Sequence, residues 1–288
     1  MMSNIPYIAG TMRWGTWGAN FSTAQYCKAI QHCLEQGITC FDGADIYGHY
    51  TTEAAFGKAL AEMGLERDKY QIISKAGILL PNAAPYFAQL KHYNTSKAHL
   101  ISAVQRSLQD LQTDYLDIFL VHRPSPLMHL QEVAEALTYL LQNGLVKKVG
   151  VSNFSFEQVE LLSSYLPLDC HQFECSLWRP QAFTNGVLHQ CQQKNIQAMV
   201  WGPLGGGVLG QENQEQLSKA IAQMALKYKV SAAQIAYLFI QSHPISMQIV
   251  TGTTQLERIT EAANTTAYTL AESDWFTLYE AAMGQEVP

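Results

Sequence analysis

Ile38-Thr39-Cys40-Phe41-Asp42-Gly43-Ala44-Asp45-Ile46-Tyr47-Gly48-His49-Tyr50 is the stretch on which the reading of the chain turns. Its first four residues are apolar or β-branched, and they follow a helical pattern that stops at Gly37. They read as a short buried strand. Polar residues begin where that strand should end, with Asp42 at its carboxyl end and Tyr47 on the loop beyond. In a parallel α/β protein that edge carries the chemistry. Taken alone, the stretch fits an ordinary loop equally well, with Asp42 capping a helix and Tyr47 packing on it. Its neighbours decide.

On both sides the same unit recurs. Strand patterns cover 6–10, 38–41, 71–75, 115–121, 148–151, 168–173, 197–201 and 246–250. Helical spacing covers 23–36, 53–63, 96–111, 131–142, 155–164, 186–194, 214–228, 231–241, 256–264 and 273–283. Ser22 or Thr23 and Ser155 are the expected N-caps, and Gly37 and Gly64 the expected stops. Residues 77–94 read as a long loop, of a length that is usually functional. Strand alternating with helix argues for a parallel sheet with right-handed crossovers. Eight such units in about 250 residues is the size of a closed (β/α)8 TIM barrel. The expectation is one α/β barrel domain over residues 1–288. A doubly wound open sheet is the alternative that strand counting leaves open.

Composition narrows the function. The chain has 288 residues, 48% of them hydrophobic, which suits a sizeable core. A formal net charge of −6 without a long basic run argues against nucleic acid or an anionic membrane as partner. No apolar run approaches the ~18 residues of a membrane span. Met1 to Gly10 lacks the pattern of a signal peptide, so a cytoplasmic protein is expected. The six cysteines form no Cys-x-x-Cys motif and read as buried free thiols.

The polar residues fall at the strand ends. Thr11 follows the first strand, Asp42 and Tyr47 the second, and Lys75 ends the third. His122 ends the fourth, Ser152-Asn153 the fifth and Trp201 the seventh; Gln172 lies in the sixth, and Gly252-Thr253-Thr254 close the eighth. In a barrel these ends converge on one mouth. Singly, each has a bland explanation as a surface cation or a hydrogen-bonded structural residue. Ionisable residues at three successive strand ends beside a tyrosine are harder to dismiss.

Over nearly its whole length the chain resembles the aldo-keto reductase superfamily. The resemblance is carried by Phe41-Asp42-x-Ala44-x-x-Tyr47-Gly48, Ile73-Ser74-Lys75 and Ser107-Leu108-x-x-Leu111-x-Thr113-Asp114-Tyr115-x-Asp117. It continues through Val121-His122-Arg123-Pro124, Gly150-Val151-Ser152-Asn153-Phe154, Gln172-x-Glu174 and Gly252-Thr253-Thr254-x-x-Glu257-Arg258. The Lys91-His92-Tyr93 loop and the tail from Asp274 look most like bacterial members with unassigned substrates. The resemblance implies a catalytic tetrad of Tyr47, Asp42, Lys75 and His122, and NADPH-dependent reduction of an aldehyde or ketone without a metal. It implies cofactor contacts at Thr11, Ser152, Asn153, Gln172, Trp201, Gly202, Leu204, Gly252, Thr253, Thr254 and Arg258. The expected partner is a small-molecule carbonyl substrate, and the expected assembly a monomer or small homo-oligomer.

Physical chemistry fits those implied roles. A carbonyl oxygen receiving a hydride on its carbon needs a proton donor. Lys75 should bring the Tyr47 pKa down, with Asp42 holding the ammonium and His122 orienting the carbonyl. Trp201 would stack on the nicotinamide. Three departures touch the family pattern: Gly43 follows the catalytic Asp where Ser or Thr is usual, Gly252 stands where many relatives have Lys, and Ala262 where many have an adenine-contacting Asn. The first should loosen its turn, and the other two should weaken the cofactor grip.

Other readings compete. Gly205-Gly206-Gly207-Val208-Leu209-Gly210 fits Gly-x-Gly-x-x-Gly, but helical pattern follows where a dinucleotide fold needs a strand with a terminal acid. Asp42, Asp45, His49 and His122 could form a metal site, which would leave Tyr47 and Lys75 unexplained. A regulatory barrel that holds NADPH with little turnover is the alternative from another class. Trp14, Tyr50, Ile78-Leu79, Tyr86 and Trp178 are expected pocket walls, favouring an apolar or aromatic carbonyl compound. With little chain after Gly284, the pocket should be open on that side unless the 77–94 loop covers it.

Overall fold

The computed structural model describes residues 5–207 and 215–287. Its strands in chain order are β1 (Tyr7–Gly10), β2 (Cys40–Asp42), β3 (Gln71–Ala76), β4 (Ile78–Leu79), β5 (His92–Tyr93), β6 (Leu116–Val121), β7 (Val146–Ser152), β8 (Cys170–Glu174), β9 (Gln197–Trp201) and β10 (Met247–Thr251). All except β4 and β5 pair in parallel around a closed barrel, in the order β1-β10-β9-β8-β7-β6-β3-β2. The open-sheet alternative is thereby excluded. The helices are α1 (Thr23–Glu35), α2 (Thr52–Met63), α3 (Lys97–Leu111), α4 (Leu130–Gln142), α5 (Phe156–Tyr165), α6 (Val187–Lys194), α7 (Glu215–Tyr228), α8 (Ala232–Gln241), α9 (Leu256–Asn264) and α10 (Glu272–Met283).

The period of two along each strand builds two cores. Ile8, Cys40, Ile73, Ile118, Leu120, Cys170, Met199 and Val250 fill the barrel interior. Their strand neighbours, such as Tyr7, Phe41, Ile72, Phe119 and Val200, pack outward with the helices. Gly150 lies on the inner face of β7, where a Cβ would come within 2.1 Å of the Cys170 carbonyl oxygen. Only glycine lets β7 and β8 approach there.

The helix ends follow their local chemistry. Ser22, Ser155 and Ser231 each cap a helix in a full capping box with Gln25, Gln158 and Gln234. Gly64 closes α2 in the left-handed conformation. At the opposite end of the barrel from the mouth, Arg67 donates to Asp117, to the Thr113 hydroxyl and to the carbonyls of Tyr70 and Tyr115. Asp117 in turn accepts from the Ile72 N–H. The Thr113–Asp117 motif thus ties the amino ends of β3 and β6 together, on the face where a barrel keeps its stability.

Residues 77–94 are not the plain loop expected. β4 and β5 form a small antiparallel hairpin, with Ile78 opposite Tyr93 and Leu79 opposite His92. Strands of two residues are too short to show a period in sequence. The hairpin is fastened to the Tyr47 loop: the Tyr50 hydroxyl accepts from the Leu80 N–H at 3.1 Å and donates to the Ile78 carbonyl at 3.4 Å. Residues 205–207 form one tight turn with left-handed glycines. Residues 208–210 of the Gly-x-Gly-x-x-Gly stretch, and the expected helix start at Gln214, lie outside the described residues, as do Met1 to Asn4.

Candidate active site

The site is the top layer of the barrel interior. Two residues after an inward apolar side chain, the next inward position is polar: Asp42 after Cys40, Lys75 after Ile73, His122 after Leu120, Gln172 after Cys170. Trp201 follows Met199 in the same way. The alternation that fills the barrel therefore also aims these groups at one another.

They meet. Lys75 Nζ donates to Asp42 Oδ2 at 2.8 Å, to the Gly43 carbonyl at 2.7 Å and to the Tyr47 hydroxyl at 3.1 Å. All four tetrad side chains are buried, Lys75 to 1% exposure. The His122 ring lies 6.0 Å from that of Tyr47, edge to face, and its Nδ1 is buried with no partner among the described residues. Gly43 does not loosen its turn. Its N–H donates to the Ile73 carbonyl and its own carbonyl holds the ammonium.

Burial and charge set the protonation states. Lys75 is held above the ordinary lysine value, because Asp42 and Tyr47 outweigh the burial that opposes its charge. Burial drives His122 well below the usual histidine value, and the cations Lys75, Arg123 and Lys91 push the same way, so the ring is neutral. Tyr47 corrects the expectation: burial raises its pKa by more than Lys75 lowers it. The hydroxyl consequently keeps its proton through neutral pH. In this arrangement a neutral acid touches a fixed ammonium, beside a neutral imidazole.

The other expected residues fall in two groups. Around the tetrad, the Thr11 hydroxyl donates to the Asp42 carbonyl at 3.0 Å, and Gln172 Nε2 donates to Asp42 Oδ1 at 2.8 Å. Part of the Gln172 amide is thus committed to positioning the Asp. Asn153 Nδ2 donates to the Ser152 hydroxyl at 2.8 Å, while its Oδ1 accepts from the Trp201 indole N–H at 3.0 Å. Asn153 adopts the left-handed conformation that lets its amide turn back between them. Gly202 is left-handed, and Leu204 packs partly buried beside the outer core.

Further round the mouth lie Gly252, Thr253, Thr254 and Arg258. Gly252 is exposed with open space where a Cβ would stand, and Arg258 is exposed on the first turn of α9. The Thr253 hydroxyl accepts from the Gln255 N–H, and the Thr253 carbonyl accepts from the Trp14 indole. Ala262 is fully buried, with Ile259 and Ala263, on the inner side of α9.

The expected pocket walls divide. Trp14 and Trp178 belong to the outer core, Trp14 packed among Phe21, Tyr26, Phe41 and Phe56. Tyr50, Ile78 and Leu80 cluster with Tyr47, so the hairpin does border the site. Two residues were missed. Trp17 packs 6.1 Å from the Tyr47 ring and donates its indole N–H to His49 Nδ1 at 2.9 Å. Arg123 donates to the Ser152 hydroxyl at 3.1 Å. Arg123 stands next to His122 in the sequence, whereas Trp17, in the turn after β1, reaches Tyr47 only in space and carries no local signal. Asp42 is engaged by Lys75 and Gln172, and His49 by Trp17, and no three His, Cys, Asp or Glu side chains among the described residues are grouped to hold a metal ion.

The aldo/keto reductase family model matches residues 7–282. The chain belongs to the aldo/keto reductase family. Among relatives of this reductase, the oxidoreductase YcsN of Bacillus subtilis is 38% identical over 98% of this chain and 95% of its own length. A 6-dehydroglucose reductase of Agrobacterium fabrum is 40% identical over 95% and 94%. Among solved structures, an aldo/keto reductase from Klebsiella pneumoniae in complex with NADP and acetate matches with TM-score 0.78 and 25% identity, over 95% of this chain and 90% of that one. The glycerol dehydrogenase of Gluconobacter oxydans shares the fold at TM-score 0.85 and 20% identity, over 97% and 92%. The chain is thus an oxidoreductase, and no helix among its described residues is long and apolar enough to cross a membrane.

Proposed function

We propose that this reductase converts an aldehyde or ketone to an alcohol with NADPH as reductant, and that Tyr47 is the general acid. The observation that carries the reading is the Tyr47 hydroxyl at 3.1 Å from an ammonium that Asp42 and the Gly43 carbonyl hold in place. NADPH, when bound, supplies the hydride. The protein's part is to give a proton to the carbonyl oxygen and to stabilise the charge that develops there. Tyr47 donates that proton, and Lys75 stabilises the phenolate left behind. Neutral His122 orients the carbonyl oxygen through a ring nitrogen. A proton from solvent then restores Tyr47.

The mouth suits the cofactor. Trp201 is partly exposed and its indole N–H is held by Asn153; Arg123 lies over one face of the ring, and the nicotinamide would take the other. Ser152, Asn153 and Gln172 offer the paired donors and acceptors that a carboxamide needs. Thr11, Gly202 and Leu204 would line the path outward. At the start of α9, Gly252, Thr253, Thr254 and Arg258 would hold the adenosine phosphate, where exposed backbone N–H groups favour an anion. The cofactor named in the Klebsiella complex supports this reading, and the tetrad's complete assembly favours turnover over a purely cofactor-holding role. Loss of NADPH absorbance with a panel of carbonyl compounds tests it. Turnover of at least one compound is expected. No turnover, together with very slow cofactor exchange, would replace the enzyme by a regulatory barrel.

Cofactor choice gives a sharper test. NADH lacks the 2′-phosphate and leaves the Arg258 guanidinium to water. Arg258→Ala should weaken NADPH binding about tenfold, the lower end for a charge-assisted contact, while changing NADH binding less than about twofold. Raised salt should erode the preference, since Arg258 is exposed. Equal dissociation constants for the two cofactors in the unsubstituted protein would make Arg258 an ordinary surface cation.

A further inference from the structure

Arg123 is built into the mouth but left unsaturated. Its Nη1 donates to the His122 carbonyl at 2.7 Å and to the Ser152 hydroxyl at 3.1 Å, which fixes the plane of the guanidinium. The guanidinium carbon lies 5.6 Å from the Trp201 ring centroid, over its face. Its charge reaches both Tyr47 and His122. The head therefore sits at the rim where a substrate must pass.

Arg67 shows what a saturated, half-buried guanidinium looks like in this protein. Its Nε, Nη1 and Nη2 all have acceptors, and Asp117 pairs with its charge. Arg123 differs. Its Nε–H and Nη2 hydrogens find no acceptor, and its charge no carboxylate within salt-bridge distance, among the described residues. A guanidinium presents its donors in a rigid fork. Here two hydrogen bonds on one nitrogen orient the fork, and the rest of it is open beside the tetrad.

We propose that Arg123 is a specificity residue: its open N–H groups take a hydroxyl, carboxylate or phosphate oxygen on the carbon chain of the carbonyl substrate. This rests on the carbonyl-reduction reading and adds the substrate class to it. A purely apolar carbonyl compound, the class that the expected aromatic walls favoured, would cover these donors without replacing the water they lose. An oxygenated one satisfies them. Selectivity then comes from the penalty on the wrong substrate as much as from the contact with the right one.

Propanal, glyceraldehyde and glyceraldehyde 3-phosphate share a three-carbon frame and differ in what they offer Arg123. Hydroxyls also make a carbonyl more electrophilic, so the readout is the change in relative kcat/KM on substitution. Arg123→Leu should lower the ratio of glyceraldehyde to propanal by about tenfold or more. Arg123→Lys, which keeps a donor and a charge, should recover part of it. If the natural group is an anion, the phosphate should lose more than the neutral triose, and salt should erode its advantage. If it is a hydroxyl, the two should fall together. The same ratios can be read as dissociation constants on the NADP⁺-loaded protein by tryptophan fluorescence, without turnover. Discrimination in binding with no turnover would sink the carbonyl-reduction reading and leave Arg123 its role. Turnover in which Arg123→Leu slows all three substrates by one factor would overturn the proposal, and would reduce Arg123 to a brace for Ser152 and the His122 backbone.

Discussion

Tyr47→Phe should lower kcat for carbonyl reduction by at least about a hundredfold while leaving NADPH affinity within about twofold, because a positioned general acid contributes on that scale. The substitution removes one oxygen. The ring keeps its packing beside Trp17 and His122. Lys75 keeps Asp42 and the Gly43 carbonyl as partners, so no charge is stranded. None of the residues expected to hold the cofactor depends on the hydroxyl for a hydrogen bond. Steady-state kinetics with one reducible aldehyde, beside a fluorescence titration with NADPH, measures both quantities. A variant that retains most of the turnover would remove Tyr47 from the chemistry. One that loses NADPH binding in proportion would make it a cofactor contact instead. Since burial keeps the Tyr47 proton in place, the unsubstituted enzyme should also hold its reduction rate across neutral pH.

Much of this site could be read from the chain because a strand carries its own ruler. Cys40 and Asp42, Ile73 and Lys75, Leu120 and His122 are spaced by two, so a side chain that faces the interior predicts the next. The strand that positions a residue also marks it in sequence. What depends on distance in space left no such mark. Gln172 reaches Asp42 across 130 positions of sequence. Trp14 sits in an aperiodic turn after β1, and nothing local says that its ring points outward into an aromatic cluster and not into the mouth. Ala262 is the reverse case. Ile259, Ala262 and Ala263 follow the helical spacing of a buried face, and the structure buries all three, so this packing was legible without the fold. The sign of the Tyr47 shift needed depth: sequence places a lysine nearby, but only the fold shows that burial prevails.

Glu53 was legible only as the opening of a helix, yet it should govern how stability changes with pH. It lies buried under the site, accepting from the hydroxyls of Ser74 and Ser107. Burial pushes its carboxyl up from 4.5 to about 7. The two serines and Lys75 pull the other way; Asp110 adds to the rise, and Asp45, itself raised well above the carboxylate range, repels the same charge. A raised folded-state value has a definite sign. Below about pH 4.5 the folded and unfolded chains both hold the proton, and nothing changes with pH. Between about 4.5 and 7 the folded chain binds more protons than the unfolded one, so stability falls as pH rises. The full loss is about 3 kcal/mol, reached once the pH has passed the folded value. Glu53→Gln keeps a polar group between the two serines and cannot ionise. It also relieves Asp45, so the difference between the two proteins reports the coupled pair. Urea midpoints between pH 5 and 8 should therefore decline steeply for the unsubstituted protein and more gently for Glu53→Gln, with the variant the more stable at the alkaline end. Parallel profiles for the two proteins would show that Glu53 keeps an ordinary carboxylate pKa, and that its serine partners and Lys75 match the cost of burying its charge.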